Sequence, residues 1–459
     1  MSLAWTYVVR FSTVLAALVA VVATAASAQP APPAGEALFV VSGRGWGHGV
    51  GMSQYGAYGM ALEGRTHKEI LAYFYSGTTL GRAGTKKLRV MLAEGRQAVS
   101  LTSPGAFSVK DGLGVTQALP KGALVLRPKL VFKGPKGRIR AASPLLVRPG
   151  KGGPLTFDGN AFRGALELSV ENGFLRVINV ISLDEYIQGV VANEMPFSWP
   201  SEALEAQAIA ARTYALSSVQ KGKPYHLYAD VRDQIYRGVE GETERTNDAV
   251  RATAGKVVRY GGKIARTFYF SSSGGKTASA GDVFGTPVPY LVSRPDPWDR
   301  HSPHHRWGPI LLGARTVQSK FGVAARVVDA VGVPTSSGRL KTFTLQTLEG
   351  PSKIPVTLLR TSLGLRSTWV TIGVLRLDPP AGPAVAGTPF RLTGIARGLQ
   401  SPVLAASIDG GTSWSKVGPV SRDAAGAFSV DVKPVRQTRY RLQVKEGASP
   451  PILVRVGGG

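Results

Sequence analysis

The chain has 459 residues, no cysteine and a formal net charge of +26. That length supports two or three domains with cores of their own, and the missing thiols exclude disulfides, thiolate zinc sites and cysteine nucleophiles. So large an excess of cations points to an anionic partner: nucleic acid, a membrane surface or an acidic polymer.

The N-terminus narrows that choice. Arg10 closes a short basic region, the apolar run 11-FSTVLAALVAVVATAA-26 follows, and 26-ASA-28 offers the small residues a signal peptidase accepts. Residues 1–28 read as a secretory signal peptide. The other reading is an uncleaved anchor, for which the run is a little short. No later segment is apolar enough to span a bilayer, so no integral membrane segment is expected after cleavage. The expected location is secreted, extracytoplasmic, in the cell wall or periplasm. Nucleic acid is not an expected partner there; acidic wall polymers and carboxylate-bearing peptidoglycan are.

Residues 29–36, rich in Pro and Ala, form a spacer. In 43-GRGWGHGVGMSQYG-56 glycine alternates with Arg44, Trp46, His48, Val50 and Met52. Taken as a strand, this places bare backbone on one face and the bulky side chains on the other. A helix is predicted around 66-THKEILAYFYSG-77. From residue 87 to about 180, short apolar runs alternate with Gly/Pro turns, which predicts a β-rich stretch. Within it Lys121, Arg127, Lys129, Lys133, Lys136, Arg138, Arg140, Arg148 and Lys151 occur with no acid over 121–151, either a solvated basic face or a polyanion contact.

Ser182 and Glu185 form a capping box that opens a helix over 183-LDEYIQGVVANEM-195. Pro196 and Pro200 break the chain before a second, alanine-rich helix over 201–219. Short strands and turns follow to 310 and a mixed segment to 372. Residues 373–459 read as a small all-β domain, with an immunoglobulin-like sandwich as the expected form. The fold class expected is α+β.

Glu194 is the residue most out of pattern. Ile187, Val190 and Val191 share a helix face, and Glu194 is the next member of that stripe. Burial there disfavours the charged form and raises the pKa, as a general acid working near neutral pH requires. The alternative is a carboxylate at a frayed helix end that accepts a hydrogen bond. In the second helix Gln207 shares a small-residue face with Ala203, Ala211 and Tyr214, and Arg212 is a nearby cation; both are also ordinary on a solvated face. The turn 269-YFSSSGGKTAS-279 ends like a phosphate loop but has Phe270 where glycine is needed, so nucleotide binding is excluded. Its hydroxyls and backbone N–H groups suit a polyhydroxylated ligand. The cluster 301-HSPHHRW-307 has adjacent His304 and His305 and only Asp299 as a further ligand, so no metal is expected.

Several of these stretches are together similar to one family. The run 183-LDEYIQGVVANEMPFSWPSEALEAQAIAARTYAL-216 resembles the core motif of the SpoIID/LytB family, the stage II sporulation protein D group. So do 266-RTFYFSSSGGKTAS-279, 290-YLVSRPDPWD-299, 363-LGLRSTW-369 and 48-HGVGMSQYGAYGMA-61. The resemblance implies a β-rich catalytic domain over 37–372, with 37–82 a strand/helix segment and 87–372 the main body. It also implies a lytic transglycosylase that cuts peptidoglycan glycan strands; no cofactor or metal is expected. Its catalytic acid would be the Glu of the E-M-P motif, Glu194. Gln207 and Arg212 would line the glycan groove; Ser271, Ser272, Gly274, Gly275 and Thr277 match the family's Ser/Gly turn. His48 and Gln54 fall in the glycine segment and complete the implied substrate-binding set. The family name also carries a second possibility, a non-catalytic wall-binding protein that activates an amidase. Two departures stand out. The run 229-ADVRDQIYRG-238 lacks the Cys and His with which some members hold zinc before a Q-x-Y-x-G motif. The glycine segment, which the family keeps directly after L-G-L-R-S-T, here opens the mature chain, as in a circular permutation. Within a glycan groove, the bare face of that strand is expected to form the floor, with Arg44, Trp46 and His48 on its far side.

Overall fold

The computed structural model describes residues 35–457 except Thr85, so the expected signal peptide and most of the expected spacer lie outside the described residues. Between 87 and 182, alternating apolar and polar positions produce strands that bury every second side chain, as in Phe174–Ser182 and Lys87–Arg96. These strands, with Ala165–Glu171 beyond them, lie at the centre of a seven-stranded sheet. Its members are antiparallel except for the short Leu227–Tyr228, which runs parallel along Lys87–Arg96. The β-rich stretch predicted to about 180 is thus present, and all nine cations between 121 and 151 are exposed on it.

The strand Phe174–Ser182 feeds directly into a helix. Ser182 Oγ accepts from the Glu185 N–H, and the Glu185 carboxylate accepts from the Ser182 N–H and hydroxyl, so the predicted capping box forms. Four helices then build the centre of the molecule: α1 (Gln54–Leu62), α2 (His67–Phe74), α3 (Leu183–Glu194) and α4 (Ser201–Ser217). Ile187, Val190 and Val191 of α3 are fully buried. At roughly 1.5–3 kcal/mol per buried aliphatic side chain, that stripe fixes the rotation of α3 and so the direction in which Glu194 points. α4 is the central helix: it packs against α1, α2, α3, the helix Glu244–Ala252 and the strand Lys256–Tyr260. Its small residues, Ala203, Ala206, Ala208, Ala210 and Ala211, allow that close approach on several sides.

The glycine segment departs from expectation. Only Leu38–Gly43 is a strand of any length; residues 44–51 make isolated bridges, Trp46 with Ser272 and Val50 with Ala278. Gly45, Gly47, Gly49 and Gly51 all have positive φ, a region closed to most side chains. Their bare side meets protein: a Cβ at Gly47 would press on Phe270, and one at Gly51 would overlap the carbonyl oxygen of Phe268. The segment is therefore threaded between two walls of the fold. On one side the Trp46 N–H donates to Ser272 O (2.8 Å) and the Met52 N–H to Phe268 O (3.1 Å). On the other, the Arg44 N–H donates to Trp369 O and the Gly47 N–H to Arg366 O, both at 2.9 Å. The two motifs that stand far apart in sequence, 43–56 and 363–369, are neighbours in space. The segment then turns into α1, a helix that its two internal glycines concealed. Gly56 lies against Asp296 and Phe74, and Gly59 against Trp298, so closely that a Cβ would collide.

The tail from 378 is all β among the described residues, but one of its sheets is shared with the rest of the chain. Phe390–Arg397 and Ala427–Val432 extend a sheet whose other strands are Val370–Leu377, Leu38–Gly43 and Trp307–Gly313. The junction expected at 372/373 lies inside Val370–Leu377. A second, four-stranded sheet built on Val403–Ser407 and Thr438–Gln443 faces the first across a core that includes Val40, Leu375, Leu392, Leu404, Phe428 and Leu442. No helix among the described residues is long and apolar enough to cross a membrane.

The threading has a measurable consequence. Gly51→Ala is expected to lower stability by about 2–4 kcal/mol, combining left-handed backbone strain with overlap on Phe268. Thermal unfolding of the variant beside the parent checks this; an unchanged midpoint would contradict it.

Candidate active site

A cleft of about 930 Å³ runs along one side of the threaded segment. Trp46, Gly47, His48 and Gln54 contribute one wall, and Phe268, Phe270, Ser271 and Phe284 continue it. Glu194, Tyr214, the loop Val231–Ile235 and residues 360–365 supply the remainder. Glu194, the last residue of α3, is half-buried and directs its carboxylate into this space. Its Oε2 accepts from Gln54 Nε2 at 3.4 Å and its Oε1 from the Ile235 N–H at 3.3 Å. Burial pushes its pKa above the ordinary carboxylate value, while the Ile235 N–H, the Gln54 amide and the Tyr269 hydroxyl draw it partly back.

Behind Glu194 lies a polar chain. Gln234, itself buried, donates to Tyr269 Oη at 2.8 Å, and its Oε1 accepts from Tyr186 Oη at 3.3 Å. Asp233 is a second carboxylate in the cleft, but protein donors already hold it: the Tyr228 N–H at 2.8 Å and Tyr214 Oη at 3.3 Å. His48 packs among Phe268, Phe270 and Phe284. Burial and then the nearby Arg339 lower its pKa to about 4, so the ring is neutral at neutral pH, with Nδ1 accepting from the Val50 N–H. Trp46 and His48, expected on the far side from the groove, both line the cleft.

The structure thus brings Glu194, Gln54, His48 and Ser271 together. Other residues expected to bind ligand do structural work. Gln207 is fully buried because α4 is covered on several sides, and its amide finds no partner among the described residues. Arg212 is equally buried; it bonds Asp184 at 2.8 Å and the carbonyls of Lys256 and Val250 at 3.2 Å, tying α4 to α3 and to the segment after it. The Ser/Gly turn faces inward as well. Ser272 Oγ and the N–H groups of Ser273 and Gly274 all donate to the buried Asp299, at 2.7–2.8 Å. The Gly275 N–H donates to Ser273 Oγ (3.0 Å), and Thr277 accepts from the Arg294 N–H (2.9 Å). Apart from Ser271, the turn's donors are spent on Asp299 and its neighbours.

Asp299 also accepts from Ser53 Oγ (3.3 Å), just before α1, and pairs with His305 Nδ1 (2.9 Å). His304 stacks edge-on with Trp46. The histidine cluster is thereby divided between two protein contacts. A different trio converges elsewhere: His67 Nδ1 lies 2.7 Å from Glu202 and 3.0 Å from Glu205, with Lys256 Nζ 3.4 Å from its other ring nitrogen. It joins α2 to α4, and the lysine ammonium disfavours a metal cation there. Tyr269, Gln234 and Ile235 escaped the sequence reading as site residues. Gln234 begins the Q-x-Y-x-G motif and carried a signal; the Ile235 N–H carried none, because a backbone donor leaves no mark in side-chain pattern.

Residues 171–260 match the family model SpoIID, described as Stage II sporulation protein. Stage II sporulation protein D of Bacillus subtilis (strain 168) is 34% identical over 169 residues, 33% of this chain and 49% of that protein. Stage II sporulation protein D of Bacillus amyloliquefaciens is 32% identical over 209 residues, 41% of this chain and 59% of its own. The Amidase enhancer of Bacillus subtilis (strain 168) is 40% identical over 113 residues, 25% of this chain and 15% of its own. These matches support SpoIID/LytB family membership, with residues 171–260 as the matched domain. It spans between 15% and 59% of the length of these three relatives.

The carboxylate cluster beside the cleft offers a test by pH. Asp296 is fully buried, and among the described residues neither of its oxygens finds a hydrogen-bond partner. Burial, and then the charge of Asp299, push its pKa up to about 7. A carboxyl whose folded pKa is raised costs no stability below its ordinary value, costs progressively more as pH climbs from there to the raised value, and costs a constant amount above it. Asp296→Asn is expected to match the parent near about pH 4 and to unfold at a higher temperature near about pH 8. Thermal melts across that range check it; a constant difference at all pH values would contradict it.

Proposed function

We propose that this protein is a secreted lytic transglycosylase that cleaves the MurNAc–GlcNAc bonds of peptidoglycan glycan strands, with Glu194 as general acid and then general base. The observation that carries the reading is the desolvated carboxylate of Glu194, open to a long aromatic-walled cleft and held by donors from two distant parts of the chain. Family membership supports a role at the cell wall. The protonated acid gives its proton to the glycosidic oxygen as the bond to the anomeric carbon breaks. The resulting carboxylate then takes the proton from the C6 hydroxyl as that oxygen closes on the anomeric carbon. The residue ends as it began, no water is consumed, and a single carboxylate suffices where hydrolytic glycosidases use two. Asp233, with both oxygens engaged, is not needed as a base. The exposed cations of 121–151 hold the anionic wall, and the β tail serves as a wall-binding or spacing module.

A second reading has specific support. The identity to the Amidase enhancer favours a protein that binds the wall and activates an amidase without cutting glycan itself. One experiment separates the two: incubation of the protein and Glu194→Gln with purified glycan strands, with 1,6-anhydro ends as the readout. The lytic reading predicts anhydro products from the parent and a loss of about 10²–10⁴ in rate in the variant. No anhydro product from either protein, with equal stimulation of an amidase by both, would overturn it.

The pH profile provides an independent check. Because Glu194 must start protonated, cleavage is expected to decline as pH rises through its pKa. The Gln54 amide stabilises the ionised form, so Gln54→Leu should raise that pKa further. The alkaline limb of the rate profile then moves upward; a shift downward would contradict the assigned contact.

A further inference from the structure

A second cavity, of about 370 Å³, opens beside an earlier stretch of the same threaded segment. Arg44, Arg306, Trp307 and Trp369 line it, with Ser42 and Thr371 at its edge. It holds two guanidiniums and no carboxylate. Among the described residues neither arginine forms an ion pair, in contrast to Arg300, which Glu63 neutralises nearby in sequence. The Arg44 guanidinium sits 5.4 Å from the centre of the Trp369 ring, and the buried Arg339 lies 5.6 Å from the same ring. Two cations therefore flank one indole, and Arg306 lines the same cavity. Partial burial, and then the charge of Arg306, make the charged form of Arg44 harder to hold.

The frame around these groups is fixed. Trp307 Nε1 donates to Gly45 O at 2.9 Å, the Arg44 N–H donates to Trp369 O at 2.9 Å, and Ser367 Oγ donates to Arg44 O at 2.6 Å. Like charges held together on a rigid frame, with no internal counter-charge, are relieved by an external oxyanion. Guanidinium forks match carboxylate and phosphate geometry. The flanking indoles add broad apolar faces of the kind that wall a ring-shaped ligand.

We propose that this cavity is a second binding site, which takes an oxyanion carried on a saccharide polymer: Arg44 and Arg306 grip the anion while Trp307 and Trp369 wall the sugar. The proposal rests on the reading that the protein works on wall polymers, and it names the chemistry they must carry. Arg44 is four residues from His48, so the two sites lie within roughly 13 Å along the chain. A single polymer can occupy both, with its anionic group held at a set distance from Glu194. Carboxylates and phosphodiesters share this chemistry.

The test measures binding by the full chain to three probes: a polygalacturonate (carboxylate), a poly(glycerol phosphate) (phosphodiester) and neutral chitin oligosaccharides. Arg306→Gln is the main variant, since that side chain is exposed and bonds nothing in the protein among the described residues; Arg44→Gln/Arg306→Gln extends it. The expected result is a loss of about tenfold in affinity for at least one anionic polymer in Arg306→Gln, and a larger loss in the double variant. Chitin binding should stay unchanged, and the polymer that shows the loss identifies the oxyanion. Parent-like binding of both anionic polymers by Arg306→Gln overturns the site. So does an equal loss from Lys320→Gln/Lys341→Gln, two exposed cations that neither line the cavity nor belong to 121–151, which would assign retention to general surface charge. The lytic reading is tested by anhydro ends from the parent and this site by polymer binding in the Arg306 variants, so failure of one and failure of the other give different results.

Discussion

The contact between Gln54 and Glu194 spans 140 positions of sequence, and the placement of residues 44–53 exists to make it possible. Gln54 reaches the carboxylate because the threaded segment is gripped from both sides, by 268–272 on one and 366–369 on the other. The alternating glycines are what such threading demands. Each takes a left-handed backbone conformation and each presents no side chain to a wall already in contact. Were the segment an ordinary strand, its bulky residues would all face one way. Instead Arg44 faces one cavity, and Trp46 and His48 face another.

A second constraint is the buried Asp299. It collects the hydroxyls of Ser53 and Ser272, the N–H groups of Ser273 and Gly274, and the ring of His305. Those partners come from three separated parts of the sequence, so one carboxylate joins the start of α1, the Ser/Gly turn and the histidine loop. A buried carboxylate is stable only with such a set of donors. Its neighbour Asp296, with none, has its pKa pushed up to about 7. The Ser/Gly turn thus supports the cleft wall from behind, and Ser271 alone of its residues named for ligand binding lines the cleft.

What the sequence revealed follows from how local each signal is. The capping box at Ser182, the apolar stripe of α3 and the alternation of 165–182 lie within a few residues, and all appear in the structure. Glu194 was legible because it breaks such a local pattern. Gln207 and Arg212 were misplaced because spacing tells which residues share a helix face but not how many faces are covered, and α4 is covered on several. α1 was hidden because glycine weakens a helix in isolation, whereas Gly56 and Gly59 permit its close packing on Asp296 and Trp298. The shared sheet at the tail depends on pairing between Leu38–Gly43 and Val370–Leu377, a contact no window of sequence contains.

The proposed role of Glu194 requires that its carboxylate, desolvated and steadied by Gln54 and the Ile235 N–H, stand where a glycosidic oxygen would bind. Its most direct test is a crystal structure of Glu194→Gln with a bound glycan fragment. The account predicts a glycosidic oxygen within hydrogen-bond distance of the residue-194 side chain, about 2.6–3.2 Å, with the sugars running along Trp46 and His48. A fragment seated in the cleft with every glycosidic oxygen out of reach of that side chain would contradict it.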